Sequence, residues 1–178
     1  KNNLDKHLIP GLDPLGVHKN LSNTSFGFNY GNFDQLKKLV DNKGIGIIKM
    51  EVSRNSLPNI KFLKKVRKLA TKKNIVLIFD ECTSGFRQSF GGLHINLNIE
   101  PDLAILGKAL GNGYAITAVL GKNSVMENAK KSFMSSTFWT ERIGPTAALK
   151  TLEVMEKNKS WLRITDLGNK LVSIWRRT

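Results

Sequence analysis

Lys108 stands in Leu106-Gly107-Lys108-Ala109-Leu110-Gly111-Asn112-Gly113, and Asp80 ends the apolar run Ile75-Val76-Leu77-Ile78-Phe79 upstream of it. An amine and a carboxylate in such settings suggest pyridoxal phosphate chemistry. The lysine can hold an aldehyde cofactor as a Schiff base. A carboxylate facing the pyridine nitrogen keeps that nitrogen protonated, so the ring accepts electrons from a substrate carbanion. Position alone leaves plainer readings open: a carboxylate ending a buried strand also serves as a helix cap or an arginine's partner, and most lysines are surface charges. Lys108 differs in its apolar neighbours Leu106, Ala109 and Leu110, because an apolar wall disfavours the ammonium form. Gly107-Lys108 is not a nucleotide-binding loop, since the upstream glycine and following Ser/Thr are missing.

The elements that must position these residues follow from apolar spacing. Leu36, Leu39 and Val40 predict a helix over 34–42, and Gly44 to Glu51 reads as a buried strand. A helix over 58–73 carries Lys61, Lys64, Lys65, Lys68 and Lys72 on one side and Phe62, Leu63, Val66, Leu69 and Ala70 on the other. The strand Ile75 to Phe79 comes next, then a loop at Gly91-Gly92, and Asp102 to Leu106 predicts a short strand leading to Lys108. Tyr114 to Leu120 reads as another strand, Asn123 as the cap of a short helix reaching Lys130, and Glu141 to Glu156 as a longer helix. Ser160 is expected to cap a last amphipathic helix through Trp161, Ile164, Leu167, Leu171 and Ile174. Helices alternating with continuously apolar strands imply an α/β class, a mostly parallel sheet with helices on both faces. Ligands of such sheets collect beyond the carboxyl ends of the strands, where Asp80 lies and where Glu51 closes the preceding strand.

Asp80-Glu81-Cys82-Thr83-Ser84-Gly85-Phe86-Arg87 resembles the Asp-Glu-Val-x-Thr-Gly-Phe-Arg segment of class III aminotransferases. Pro101 to Lys108 resembles their cofactor-lysine segment. Ser135-Ser136-Thr137-Phe138, followed by Gly144-Pro145-Thr146-Ala147-Ala148-Leu149, is similar to the family's Thr-Phe pair and small-residue helix. The version here is nearest to glutamate-1-semialdehyde aminomutase and its aminotransferase relatives. The resemblance implies the large domain of fold-type I enzymes, truncated at both ends, with pyridoxal 5'-phosphate as cofactor. It makes Lys108 the Schiff-base lysine and proton shuttle and Asp80 the pyridinium partner. Cys82 takes the place of the usual valine under the ring, and Thr83 replaces a longer residue that contacts the phenolic oxygen. Thr137 corresponds to the threonine that reaches the cofactor phosphate from the neighbouring subunit of a homodimer; plain turn chemistry is its other reading. Glu81 reads as a structural acceptor.

The resemblance further implies a small-molecule amino donor and carbonyl acceptor, a cytoplasmic setting, residues 1–158 as a partial cofactor-binding domain and 159–178 as the start of a helix toward a small carboxyl-terminal domain. An internal fragment, inactive by itself and marginally folded, is the expectation. Transamination is favoured over the 2,1-aminomutase reaction because Thr137-Phe138-Trp139-Thr140-Glu141-Arg142 looks like the aminotransferase relatives.

The 178 residues are 40% hydrophobic, ordinary for a globular core, and carry a formal charge of +14. That charge raises a competing class, a noncatalytic basic binding module. The lysines gather on the solvated face of one helix with no nucleic-acid motif beside them, so specific nucleic-acid binding is not expected. A single cysteine, Cys82, builds no intrachain disulfide and suits a reducing compartment, and no paired Cys/His spacing suggests zinc. No apolar run approaches the ~20 residues of a membrane helix.

Overall fold

Among the described residues the apolar strands form a four-stranded sheet in the order β1-β2-β3-β4. The computed structural model describes residues 15–53, 57–137 and 139–177. The opening Lys1-Asn2-Asn3, Phe138 of the Thr-Phe pair and Thr178 lie outside them. Contacts divide the chain into two units, Lys1–Ile45 and Gly46–Thr178. The first holds α1 (Phe33–Lys43), whose Asn32 cap accepts from the Gln35 N–H and whose last turn is closed by Gly44 at φ 60°. A left-handed residue there is nearly free of strain only for glycine.

The second unit carries β1 (Ile47–Glu51), α2 (Ile60–Lys72), β2 (Val76–Asp80), α3 (Leu93–Leu97), β3 (Leu103–Leu106), β4 (Ala118–Gly121), α4 (Asn123–Met126), α5 (Ile143–Asn158) and α6 (Ser160–Trp175). β1, β2 and β3 are parallel, and β4 runs antiparallel to β3, pairing Leu106 with Ala118. The mostly parallel α/β sheet is therefore as expected. Its burial by the described residues is one-sided. Ile48, Met50, Leu77, Phe79, Ala104 and Leu106 point one way and are buried. Lys49, Val76, Ile78, Asp80, Leu103 and Ile105 point the other way and are exposed or half-buried.

The five apolar positions expected on α2 are all buried, with Leu63, Val66 and Ala70 fully so. Asn59 starts the helix by accepting from the Phe62 N–H, and the lysine side is left to water. At roughly 1.5–3 kcal/mol for each large apolar side chain withdrawn from water, this face outweighs any propensity term in fixing the helix on β2. On the far side of Lys108, α5 brings Ala148 and Met155 onto Phe86, Leu106 and Leu110.

Several boundaries differ from the sequence reading. The strand expected over 114–120 begins only at Ala118, because the Tyr114 N–H turns back onto the Gly111 carbonyl at 3.1 Å. A Cβ on Gly111 would lie 2.1 Å from the Tyr114 carbonyl oxygen, so that fold-back needs glycine. The helix expected from Asn123 to Lys130 is broken into α4 and a separate turn at Ala129–Lys131, and Lys122 occupies the cap position. Ser160 opens α6 from within, with Lys159 at left-handed φ 48° as the boundary residue. α5 starts two residues later than expected, and Glu141 explains why: its carboxylate accepts from the N–H groups of Ile143 and Gly144, closing the helix N-terminus from outside.

Candidate active site

β2 and β3 end side by side, and the chain turns at both ends into short loops that face each other. The β2–β3 ladder runs one step past Asp80, where the Glu81 N–H donates to the Ile105 carbonyl at 2.8 Å. Beyond it the segment 81–85 coils, with the Gly85 N–H returning to the Glu81 carbonyl at 2.8 Å. Gly85 has no room for a side chain, since a Cβ would lie 2.8 Å from both the Glu81 carbonyl oxygen and a Leu106 methyl. This close approach holds the Asp80 loop against the end of β3.

Glu81 is the anchor of that loop. Fully buried, it accepts from the Ser84 hydroxyl at 2.7 Å and from the N–H groups of Leu93 and His94 at 2.6 and 3.0 Å, and its other contact is His94 Nδ1 at 2.5 Å. Burial alone would push its carboxyl up, but His94 and the three further donors hold it below its ordinary range. The expected structural acceptor role is what the geometry gives it. His94 completes this anchor.

Asp80 has the opposite surroundings. Its Oδ1 accepts from the Cys82 N–H at 3.2 Å and its Oδ2 meets Lys49 Nζ at 3.0 Å. Burial raises its carboxyl, and the Lys49 ammonium and the Cys82 N–H outweigh that effect and keep it ionised. Cys82 shows the reverse: burial, then the neighbouring Asp80 carboxylate, push its thiol up, with Lys108 and Lys49 opposing. A thiol held protonated is a small filler rather than a nucleophile.

Lys108 begins a tight turn, Lys108–Leu110, directly after β3. Its φ is +46°, a left-handed conformation uncommon for a residue with a side chain. Its Nζ donates to Thr83 Oγ1 at 2.7 Å, which draws the lysine onto the loop that carries Asp80. Thr83 is itself steadied from behind, for Arg87 Nε donates to its carbonyl at 2.6 Å. Gly107 permits the approach: a Cβ there would stand 3.3 Å from Cys82 Sγ and from the Thr117 methyl. The apolar wall expected around Lys108 does not enclose it. Leu106 and Leu110 turn inward to the core with α5, Ala109 is half-buried, and the left-handed turn presents Lys108 outward as an exposed residue.

Asp80, Cys82, Thr83 and Lys108 are thus brought together at the carboxyl ends of β2 and β3. Thr137 is not among them; it lies in an exposed turn. Lys49 is the site residue that sequence reasoning missed. Its signal was a lone cation at an alternate position within an otherwise apolar strand, Ile47-Ile48-Lys49-Met50. The residues present suit pyridoxal phosphate in two respects: an exposed primary amine on Lys108 and, on the loop to which that amine is bonded, the ionised carboxylate of Asp80. Among the described residues no group of His, Cys, Asp and Glu could hold a metal ion, and no helix is long and apolar enough to cross a membrane.

Residues 55–176 match the family described as Aminotransferase class-III, and the chain belongs to that family. It is 39% identical over 153 residues to the 3-aminobutyryl-CoA aminotransferase of Cloacimonas acidaminovorans, covering 81% of this chain and 37% of that relative. It is 34% identical over 166 residues to the glutamate-1-semialdehyde 2,1-aminomutase of Sulfolobus acidocaldarius, covering 89% of this chain and 39% of the other. Among solved structures it resembles the PLP internal aldimine form of the FumI protein of Sphingopyxis sp. MTA144, with a TM-score of 0.69 and 27% identity over 74% of this chain and 34% of that one. The chain therefore spans well under half the length of the relatives it matches.

Proposed function

We propose that this chain supplies the lysine-bearing half of the active site of a pyridoxal phosphate-dependent transaminase, which moves an amino group from a small-molecule donor to a carbonyl acceptor. The observation that carries the reading is the 2.7 Å bond from Lys108 Nζ to Thr83 Oγ1, which places the amine on the Asp80 loop. Family membership and a relative solved in a PLP form support the cofactor. When bound, pyridoxal phosphate supplies an electron sink for the substrate's α-carbon.

The chain's own residues do the rest. Lys108 Nζ would hold the cofactor's aldehyde group and, when free, would act as the base and acid that moves the substrate's α-proton. Thr83 holds that amine in line between the two roles. Asp80, kept ionised, would hold the proton of the pyridine nitrogen by fixed charge. Cys82, a small protonated thiol, would offer the bound ring an apolar neighbour. Thr137 serves the phosphate of a partner subunit, so the working unit is a homodimer with shared sites, in the cytoplasm. Residues 159–178 lead toward a further small domain; α6 packs on α5, and Trp161 lies against Phe90 with ring centroids 5.3 Å apart.

The relative named as an aminomutase motivates a second reading, in which the same substrate skeleton receives the amino group back at the adjacent carbon. Assaying the full-length protein with a 2-oxo acid acceptor and, separately, with glutamate 1-semialdehyde distinguishes the two. Amino transfer to the 2-oxo acid is the expected result; turnover of the semialdehyde alone would establish the aminomutase instead.

A further inference from the structure

Lys49 reaches the candidate site from a strand that the proposed chemistry does not use. In the β1–β2 register Lys49 stands opposite Ile78 and Glu51 opposite Asp80, so Lys49 and Asp80 are diagonal neighbours on the same, less buried face. A diagonal spacing of about 7–8 Å between backbones is within reach of a lysine. The side chain spans it, putting Nζ 3.0 Å from Asp80 Oδ2 while remaining more than half exposed. The other oxygen, Oδ1, faces the Cys82 N–H. Lys108 Nζ donates to Thr83 Oγ1, on the loop that follows Asp80. Glu51, lateral to Asp80, and Lys108, across Cys82, are the other charged groups of the neighbourhood.

A carboxylate shared between two donors is a weaker acceptor for each. Resting on the reading of Asp80 as the pyridine's partner, we propose that Lys49 is a positioning residue for the cofactor: an internal counter-ion that orients Asp80 before pyridoxal phosphate arrives and then competes with the pyridine N–H for Oδ2. The competition has a sign. If Lys49 merely supported the sheet, its removal would loosen the site and weaken cofactor binding. As a competitor its removal frees Oδ2 and tightens binding. The ammonium is largely solvated, so the gain is modest, roughly fivefold, the equivalent of about 1 kcal/mol.

The test uses the full-length protein and pyridoxal phosphate itself. The dissociation constant is measured by absorbance titration for wild type, K49M and K49R, with borohydride mapping of the labelled lysine alongside. K49M is expected to bind roughly fivefold more tightly, and K49R, which keeps the cation, like the wild type. Unchanged or weaker binding by K49M, or equal tightening by K49R, overturns the proposal. Should K49M fail to fold, K49Q takes its place with the same expected sign. A wild type that carries the label on Lys108 while K49M binds no more tightly refutes this inference alone; a wild type without that label refutes the underlying reading too.

Discussion

Asp102 and Asp80 sit at opposite ends of the same pair of parallel strands, and each accepts one backbone N–H and one lysine. Asp102 receives more. Its Oδ2 takes the Leu77 N–H at 2.8 Å and Arg67 Nη1 at 2.7 Å, and its Oδ1 takes Lys122 Nζ at 2.8 Å, so one side chain joins α2, β2 and the start of α4. Burial pushes its carboxyl up, yet Lys122, the Leu77 N–H and Arg67 overcome this and draw it down to about 2. Among the described residues Asp80 meets no arginine; its partners are the exposed Lys49 and, through one long N–H contact, Cys82. At the amino ends of the strands the carboxylate is closed off and serves stability. At the carboxyl ends it is left able to take another donor, and the exposed Lys108 stands on the loop next to it.

Breaking the open end should have the larger effect. Replacing Asp80 with Ala in the full-length enzyme is expected to slow turnover roughly a hundred- to thousandfold, the range for loss of one preorganised electrostatic partner. Cofactor attachment to Lys108 should survive, because the fixed charge acts on the carbanionic state more than on the ground state. Rate with an α-deuterated donor, measured beside cofactor content, separates the effects. Equal loss of both would make Asp80 a mere holder of the cofactor.

At the closed end the effect should fall on stability and leave chemistry alone. The Asp102 carboxyl sits at about 2 in the folded chain against an ordinary 3.8, a lowered value. Its stabilisation is therefore complete above the ordinary value and disappears as pH falls through the folded one. D102N should cost about 1–2 kcal/mol at neutral pH once solvent screening is allowed for. Denaturant titrations should show the gap to wild type closing as pH drops from 3.8 toward 2. Turnover per folded molecule should stay within about twofold, as expected of a site distant from the chemistry. A D102N enzyme as slow as D80A would erase the contrast between the two ends.

The two ends were unequally legible in the sequence. Asp80 and Lys108 could be named because each ends or follows an apolar run and lies in a segment with family-like neighbours. The α2 face could be named because its apolar period is unambiguous, and all five positions are buried. Lys49 escaped notice because one lysine among 28 basic residues carries no mark of its partner. Its role depends on strand register, which brings residue 49 diagonal to residue 80. The Asp102 clamp was hidden for the same reason, its partners being 35, 25 and 20 positions away. The late start of β4 turned on the Tyr114 fold-back onto Gly111, a local hydrogen bond that apolar alternation does not encode. Cap positions slipped by a single residue at α4 and α6, where Lys122 and Lys159 rather than Asn123 and Ser160 mark the boundary.

The proposed role of Lys108, the residue that takes the cofactor, is open to a direct test. Full-length protein is incubated with pyridoxal phosphate, reduced with borohydride and digested, and the labelled peptide is sequenced by mass spectrometry. A pyridoxyl group is expected on Lys108 in the wild type and on no lysine in K108A. A label on another lysine, Lys49 included, or a wild type that takes no label, would contradict it.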